Sequence, residues 1–406
     1  MLQVRRWHCR AGLVKTPIVT VALLLAVLMP LNGQTTGGAG SSGHIKKVWE
    51  ATIEENASEV EYIASTVSPQ DDSIWVVIGR RPAGTMSGPQ ARSLWGVDRA
   101  GKALPETSLD SLIAEASLKK PGNDLVDLAA IGDGNLAMIF RFGQVVAVNA
   151  QSRRVTYRKD LGGGKRDLML TRAIPLSDGG LLLAGRVGNR ADAIKLSRTL
   201  EVVWEKSSAP AEVGLFTGGA ILEDGSFVLA GQVAHGRASM SLWAGLFNAG
   251  GDVVKSVAMR GQMLSVAAAP GGGCAVVQGD RGAEGEAFWF RNYDRDLKEL
   301  WNVQVGSGIS GFGPFLLSRV PGTADRYLIV GTDRALFSLS AVKAGSSILW
   351  KQAFEERSGP TPEPDLVRTF GLLSTSRSIV IPFTAMVVRS EVQREAVKIV
   401  NVDASE

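Results

Sequence analysis

The sequence predicts an all-β fold, a single seven-bladed β-propeller closed by pairing of its N- and C-terminal strands. Three observations lead to this prediction: a tight turn that recurs every 45 to 51 residues, an aromatic marker further along each unit, and chain ends that resemble two parts of one blade. Repeats of about 40 to 50 residues with four short strands are typical of propellers, whereas helical solenoids show a 3.6-residue period.

The recurring turn is an Asp-Gly or Pro-Gly pair that stands directly before a short apolar strand. The copies are Asp133-Gly134, Asp178-Gly179, Asp224-Gly225, Pro270-Gly271 and Pro321-Gly322, with Asp71-Asp72 before an earlier strand. An Asp-Gly pair suits a hairpin turn that needs a positive φ. Calcium requires about 6–8 oxygen ligands, and each unit offers one or two carboxylates. We therefore assign these aspartates to turns and expect no metal site.

The second marker is an outer strand that usually carries an aromatic residue. Tyr157, Trp204, Trp301 and Trp350 occupy matching positions, and Lys255 takes the same place in one unit. Together with outer strands at Trp49 and Leu104 the count is seven, although the irregular first and last blades leave six or eight open. We expect the tryptophans to pack between blades. The segment Ser108 to Lys120 is the one helix candidate.

The chain ends predict how the ring closes. The C-terminal VKIVNVDASE matches the third strand of a blade and stops without a fourth, whereas IKKVWEATI matches an outer strand that no blade precedes. Pairing them would leave no free edge. We predict that Ile45 to Ile53 complete the blade that ends at Glu406.

Residues 1–34 are predicted to be a signal peptide, residues 35–44 a flexible Gly-, Ser- and Thr-rich segment, and residues 45–406 the propeller. Arg5, Arg6, Arg10 and Lys15 precede an apolar run from Ile18 to Leu31. The uncharged stretch is roughly sixteen residues, and a spanning helix needs about 20. We expect cleavage between Leu31 and Ser42, a secreted or periplasmic protein, and no stable membrane insertion; an uncleaved anchor is the alternative.

Removing this leader changes the charge balance. The whole chain has 44 Lys and Arg against 40 Asp and Glu, and all four charged residues of the leader are basic, which leaves a net charge of zero. Net charge thus gives no reason to expect nucleic-acid binding. Cys9 belongs to the leader as well, so Cys274 is the only remaining cysteine, and its apolar surroundings predict a core residue.

The pattern of D-G-G, apolar strand, A-G, loop, alternating strand, turn and Trp resembles secreted bacterial propeller repeats related to the quinoprotein-like superfamily. The resemblance is sharpest from Ser177 to Ser207 and extends loosely over Ile45 to Glu406. It implies architecture and export but no single activity. No residue spacing suits a quinone, so we expect no cofactor.

Basic residues recur after the second strand of successive blades, where propeller loops surround one mouth of the channel. They define a candidate anion-binding rim made of Arg80, Arg81, Arg141, Arg186, Arg281 and Arg334, with His235 and Arg237 in the blade that breaks the pattern. Guanidinium groups bind carboxylate, sulfate or phosphate bidentately. The alternative is that these are exposed loop arginines paired with neighbouring carboxylates.

Two functions remain open from the sequence. The first is a monomeric, non-enzymatic binding or scaffold module for a protein, an anionic glycan or a small molecule, acting through the loops at the channel mouth. The alternative is a propeller-type lyase or glycoside hydrolase that uses loop carboxylates, with Asp280, Glu284 and Glu286 as candidates.

Overall fold

The structure is a computed structural model, and the residues it describes all belong to one unit of the chain, Ser42–Glu406. They are residues 46–54, 58–82, 91–118, 124–162, 167–207, 209–210, 212–235, 239–259, 261–282, 285–308, 315–323, 325–333, 336–343, 345, 348–354, 366–389 and 392–403. The predicted leader, residues 1–34, and the segment 35–44 lie outside the described residues.

The described elements are β-strands and one short α-helix. In chain order they are β1 (Lys46–Glu54), β2 (Ser58–Val67), β3 (Ile74–Pro82), β4 (Ala91–Val97), β5 (Thr107–Ser108), α1 (Leu109–Glu115), β6 (Leu125–Ile131), β7 (Asn135–Phe140), β8 (Gln144–Asn149), β9 (Val155–Asp160), β10 (Leu168–Pro175), β11 (Leu181–Val187), β12 (Arg190–Leu196), β13 (Val202–Lys206), β14 (Val213–Ile221), β15 (Phe227–His235), β16 (Ser239–Phe247), β17 (Val253–Met259), β18 (Gln262–Ala269), β19 (Gly273–Gly282), β20 (Gly285–Tyr293), β21 (Glu299–Gly308), β22 (Leu316–Arg319), β23 (Arg326–Asp333), β24 (Leu336–Lys343), β25 (Ile348–Phe354), β26 (Leu366–Phe370), β27 (Leu373–Ser374), β28 (Ile379–Arg389) and β29 (Val392–Asp403).

These strands form seven antiparallel sheets arranged as the blades of a β-propeller. Six sheets use four consecutive strands each, from β2-β3-β4-β5 to β22-β23-β24-β25, and the seventh has the order β26-β28-β29-β1, with β27 also paired to β28. The first strand of each blade is innermost, and neighbouring innermost strands such as β2 and β6 contact each other around the central channel. The predicted seven-bladed propeller is confirmed.

The ring closes at a seam between the two ends of the chain, as the sequence predicts. β1 pairs antiparallel with β29 from Lys46 opposite Asp403 to Glu54 opposite Ala396. Inside this seam the Lys398 side chain is only 2% exposed, and its Nζ lies 3.6 Å from Glu50 Oε1. The outer strand of the seventh blade therefore comes from the N-terminal end of the described chain.

A separate hydrophobic cluster fills each junction between blades. Trp75, Leu94 and Met138 belong to the cluster between the first and second blades, whereas Ile74 and Ile399 belong to the one between the seventh and the first. Successive residues of a strand point to opposite faces, so each middle strand supplies two junctions. Because both faces are covered, these strands are continuous apolar runs rather than alternating ones.

The predicted turn residues form turns. Gly179 and Gly225 have φ values of 79° and 80°, a conformation that favours glycine. The carboxylates beside them hold the turn closed, since Asp178 Oδ1 accepts from the Gly180 N–H at 2.9 Å and Asp224 Oδ1 from the Ser226 N–H at 2.9 Å. The assignment of these aspartates to turns agrees with the structure.

The outer strands share a β-bulge directly before the marker position. In the third blade Leu196 faces Val202 and Lys195 faces Trp204, which leaves Val203 unpaired and 56% exposed. The bulged residues of the six blades are Val48, Thr156, Val203, Val254, Leu300 and Leu349. The extra residue bends the strand and re-aims the side chain that follows.

The re-aimed aromatic residues pack between blades, as predicted. Trp49 lies against Gly101 of the next blade, Trp204 lies against Gly251 of the next blade, and Trp301 packs against the cluster between the fifth and sixth blades. Only the backbone of Trp350 is described.

The first blade departs from the predicted pattern. Its outer strand is the two-residue β5 rather than a strand centred on Leu104, although the Leu104 N–H still donates to the Gly96 carbonyl at 2.8 Å. Pro105 follows directly and has no N–H to continue the ladder. The helix α1, which the sequence predicts, then covers the blade, with Leu109 and Leu112 buried in the adjoining cluster.

Candidate functional site

The antiparallel blades give the ring two different faces. The turns between first and second strands and between third and fourth strands lie on one face, which we call the turn face. The links between second and third strands and between blades lie on the other, the loop face. The described arginines of the predicted rim belong to the loop face, and the Asp-Gly turns belong to the turn face.

Three of the predicted rim arginines, Arg80, Arg81 and Arg141, pair with carboxylates of their own blades. Arg80 binds Glu106 through two hydrogen bonds of 2.5 and 3.0 Å and donates to Ser93 Oγ at 2.6 Å. Arg81 lies 3.4 Å from Glu61 Oε2 on the innermost strand. Since Glu106 directly precedes the outer strand β5, Arg80 extends away from the channel while Arg81 extends toward it.

Arg141 and Arg186 are the other rim residues whose side chains the structure describes. Arg141 Nε lies 3.6 Å from Asp124 Oδ2. Arg186 lies in β11 opposite Met169 and Ala191, and we find no ion pair for it within the described part of the chain.

The side chains of the other rim residues lie outside the described part of the structure. His235 ends β15 and Arg281 lies in β19, but neither side chain is described, and Arg237 and Arg334 lie outside the described residues. The loop carboxylates Glu284 and Glu286 are equally without described side chains. Among the described arginines the structure therefore shows separate local pairs and no shared cluster.

Polar side chains fasten neighbouring blades near the channel. Asp127 Oδ2 accepts from the Ala173 N–H of the third blade at 2.9 Å, and Ser265 Oγ accepts from the Leu317 N–H of the sixth at 3.1 Å. Across the seam, Thr384 Oγ1 accepts from the Tyr62 N–H at 2.7 Å. We call these contacts inter-blade staples, and each joins two neighbouring blades by a hydrogen bond.

One staple is part of a charged group that borders the channel. Burial raises the pKa of the Asp127 carboxyl, and the nearby Arg172, whose Nε lies 3.7 Å from Oδ2, opposes that rise. Burial also raises the pKa of Tyr62 to about 12, and its hydroxyl shares a 3.0 Å hydrogen bond with Ser65. Asp127 and Tyr62 are thus each already engaged, Asp127 with Arg172 and Tyr62 with Ser65, which gives them a structural role.

The turn-face carboxylates are also engaged. Hydrogen bonds from the Lys195 ammonium hold the pKa of Asp178 below its usual range, and those from Ser226 do the same for Asp224. No group of three His, Cys, Asp or Glu side chains within the described ranges is arranged to hold a metal ion. Cys274 is fully buried, and burial raises the pKa of its thiol to about 12, as expected of a core residue.

A depression lies on the turn face at the seam. This seam pocket has a volume of about 480 Å³ and is lined by both chain ends and by turns of the first and seventh blades. Its aromatic, charged and amide lining residues are Trp49, Asp72, Arg99, Arg377, Asn401 and Asp403. A shallower depression of about 710 Å³ adjoins it at Thr375 and is rich in serine and threonine.

Local turn geometry positions the pocket walls. The Trp49 indole donates to the Arg99 carbonyl at 3.0 Å, and a Cβ on Gly101, where φ is 87°, would lie 2.9 Å from the Trp49 ring. Glycine thus allows the ring to lie flat on the turn that carries Arg99. On the opposite wall, Asp72 Oδ1 accepts from the Ser376 N–H at 3.0 Å, which joins the first-blade turn to the turn that carries Arg377.

The pocket contains polar groups that have no hydrogen-bond or ion-pair partner among the described residues. Asn401 is 6% exposed, and its Oδ1 is a buried acceptor without a hydrogen-bond donor in the described structure. Leaving such an atom buried without a hydrogen bond destabilises the fold by about 1–3 kcal/mol. The exposed side chains of Arg99 and Arg377 have no carboxylate partner among the residues described. Arg99, Arg377 and Asn401 therefore line the same pocket, and among the described residues the two guanidinium groups have no carboxylate partner and the buried Asn401 Oδ1 has no donor.

Sequence reasoning predicted the seam but not this pocket. Trp49 and Asn401 lie in the two segments predicted to pair, yet Arg99 and Arg377 occur in turns that carry no recurring signal. The predicted closure of the ring was the usable clue, because it places the residues beside both chain ends together.

Comparison with known proteins supports the fold and goes no further. No family model matches the chain, and no curated protein matches it. Its structure is similar to that of a chain in "Crystal Structure of Mitotic Checkpoint Complex", with a TM-score of 0.56 and 10% identity over 99% of each chain. A likeness at this identity shows the propeller architecture alone. Among the described residues, no helix is long and apolar enough to cross a membrane.

Proposed function

We propose that this protein is a non-enzymatic binding module that takes an anionic ligand in the seam pocket. The observation that carries the proposal is that Arg99 and Arg377, which have no carboxylate partner among the described residues, line one pocket with Asn401, whose buried Oδ1 has no donor there. Ligand sites are concave, usually 300–1,000 Å³, and contain a few convergent polar groups. The seam pocket has these properties.

The rigid scaffold supports a binding role. An apolar cluster fills each junction and the inter-blade staples add polar contacts at three of them, which favours fixed positions for the turns that carry Arg99 and Arg377. A preorganised site loses less conformational entropy when it binds. By contrast, Arg80, Arg81 and Arg141 of the loop face already bind carboxylates of the chain.

The test is a thermal-shift screen of the purified chain against carboxylates, phosphates and sulfated sugars. A ligand at 100 times its Kd stabilises the folded state by about 2.7 kcal/mol. We expect Arg99→Ala combined with Arg377→Ala to abolish the shift. Arg295→Ala is the matched control, because Arg295 occupies the same turn position in the fifth blade as Arg99 does in the first. A shift that survives the double substitution contradicts the proposed site.

We further propose that the protein is exported and acts as a monomer, as a member of the secreted propeller repeats related to the quinoprotein-like superfamily. The basic leader, the apolar run from Ile18 to Leu31 and the D-G-G unit of Ser177 to Ser207 support this proposal. N-terminal sequencing of the protein recovered outside the cytoplasm tests it. A first residue between Leu31 and Ser42 is the expected result, and an intact N-terminus contradicts cleavage.

A further inference from the structure

We propose that the ligand of the seam pocket is a monocarboxylate that carries several hydroxyl groups, the chemical class of the sugar acids. This inference rests on the proposed function and names the ligand class for the same site. It follows from the charge of the pocket, its unsatisfied acceptor and its aromatic wall.

The balanced charges of the pocket disfavour a ligand with more than one negative charge. Arg99 and Arg377 supply two positive charges, and Asp72 and Asp403 place two carboxylates in the same lining. A guanidinium group matches a planar carboxylate through two parallel hydrogen bonds. A phosphate dianion or a polysulfate would meet the two aspartates at close range, and like charges repel. A monoanion gains the arginine contacts with the least repulsion.

The acceptors of the pocket call for hydroxyl donors on the ligand. Asn401 lines the pocket, and its buried Oδ1 has no donor among the described residues, so a ligand hydroxyl that reaches this atom would satisfy it. Asp72 receives the N–H and the hydroxyl of Ser376, yet each carboxylate oxygen can accept a second hydrogen bond. A plain aliphatic carboxylate would leave these acceptors unfilled, which costs binding energy.

The shape of the pocket fits a ring. Trp49 lies in the lining with its indole N–H already bound to the Arg99 carbonyl, so it presents carbon surface rather than a donor. Val48, which is 54% exposed, adds an apolar contact at the edge. The flat C–H face of a sugar ring packs on aromatic carbon, and a volume of about 480 Å³ holds one or two such rings.

The experiment measures binding to the purified chain by calorimetry with four matched ligands. They are glucuronate, glucose without the charge, cyclohexanecarboxylate without the hydroxyls, and glucose 6-phosphate with a second charge. We expect glucuronate to bind at least about tenfold more tightly than each of the other three. Arg99→Ala with Arg377→Ala should remove the preference for glucuronate over glucose, and Arg295→Ala should retain it.

A further variant isolates the hydroxyl contacts. We expect Asn401→Ala to weaken glucuronate more than cyclohexanecarboxylate, with a thermal melt to show that the ring remains folded. If cyclohexanecarboxylate or glucose 6-phosphate binds as tightly as glucuronate and still depends on the two arginines, the ligand class is wrong and the binding site stands. If glucuronate binds but ignores the arginine substitutions, the proposed site itself is wrong. If none of the four ligands binds, the sugar-acid class is rejected, and the wider screen decides the site.

Discussion

The seam between the seventh and first blades and the junction between the third and fourth solve the same packing problem differently. Both lay a tryptophan on a glycine of the next blade, Trp49 on Gly101 and Trp204 on Gly251. At the ordinary junction, Lys206, two residues after Trp204, forms an ion pair with Asp252 that covers the outer edge. At the seam the matching residues are Ala51 and Lys102, which cannot pair, and a pocket opens there.

The two junctions also differ in what holds the outer strand. β13 is connected to β12 by a short turn, whereas β1 is held to β29 by backbone pairing, by Trp49 and by the buried pair of Glu50 and Lys398. The loss of covalent continuity is offset by a buried charge pair. The seam at which the ring closes therefore also contains the seam pocket.

The largest expected effect comes from removing the seam strand. A chain that begins at Asn56 lacks β1, exposes the edge of β29 and leaves Lys398 buried without Glu50. We expect it to lose cooperative unfolding, because the loss is comparable to the whole stability of a domain, about 5–15 kcal/mol. Circular dichroism melts measure it, and a chain beginning at Lys46 is the control. Equal melting temperatures for the two chains would refute the closure.

The next effect isolates the buried pair. Glu50→Ala removes one partner of the Lys398 ammonium, which is 2% exposed, whereas Glu50 is 24% exposed, and the loss of one partner of a buried group costs about 1–3 kcal/mol. Asp252→Ala breaks the exposed pair of the ordinary junction and should cost no more than about 1 kcal/mol. Urea unfolding of both variants measures the difference. Similar losses in the two would show that the seam has no special dependence on its charge pair.

The glycines test what the junctions share. Gly101→Ala and Gly251→Ala place a Cβ 2.9 Å from the respective tryptophan ring at a φ above 80°, so each should cost about 1–2 kcal/mol or more. We expect similar losses at both positions, measured by thermal melts. A loss at Gly251 alone would mean that Trp49 moves aside at the seam.

The smallest effect at neutral pH concerns the staples. Burial raises the pKa of Asp127 above its usual 3.8, so the folded protein binds this proton more tightly than the unfolded chain. The resulting stability is fully present below the unfolded pKa and is lost as the pH rises through the folded pKa.

An amide does not titrate, and neither does Thr384, the staple of the seam. Asp127→Asn should therefore flatten the fall in unfolding free energy as the pH rises above the usual aspartate pKa, as measured by urea unfolding. Thr384→Val should leave the slope unchanged and lower the stability at every pH. An unaltered slope in the aspartate variant would contradict this account.

The fold could be predicted from the sequence because its blades repeat. Single residues caused the departures from that prediction. Turn pairs and outer aromatics recur at a fixed spacing because each blade repeats the same hydrogen-bonded unit. Pro105 has no equivalent in the other blades, and it displaced the outer strand predicted at Leu104 toward β5. The seam was predicted only from the strand patterns of IKKVWEATI and VKIVNVDASE.

The binding groups could not be predicted in the same way. Trp49, Arg99, Arg377 and Asn401 come from four separated parts of the sequence and meet only after the ring has closed. The partner of Arg80, Glu106, lies beyond two strands, so the sequence did not distinguish a free guanidinium from a paired one. Local patterns report backbone geometry, whereas the availability of a charge depends on distant neighbours.

The bulge in each outer strand has a consequence for how molecules meet. An outer strand leaves one row of backbone N–H and C=O groups unpaired, and a straight row of that kind recruits strands from other chains. The unpaired Val203 and its counterparts interrupt the row at the same point in six blades and bend it. The perimeter therefore carries exposed aliphatic side chains without offering a long template for fibril growth.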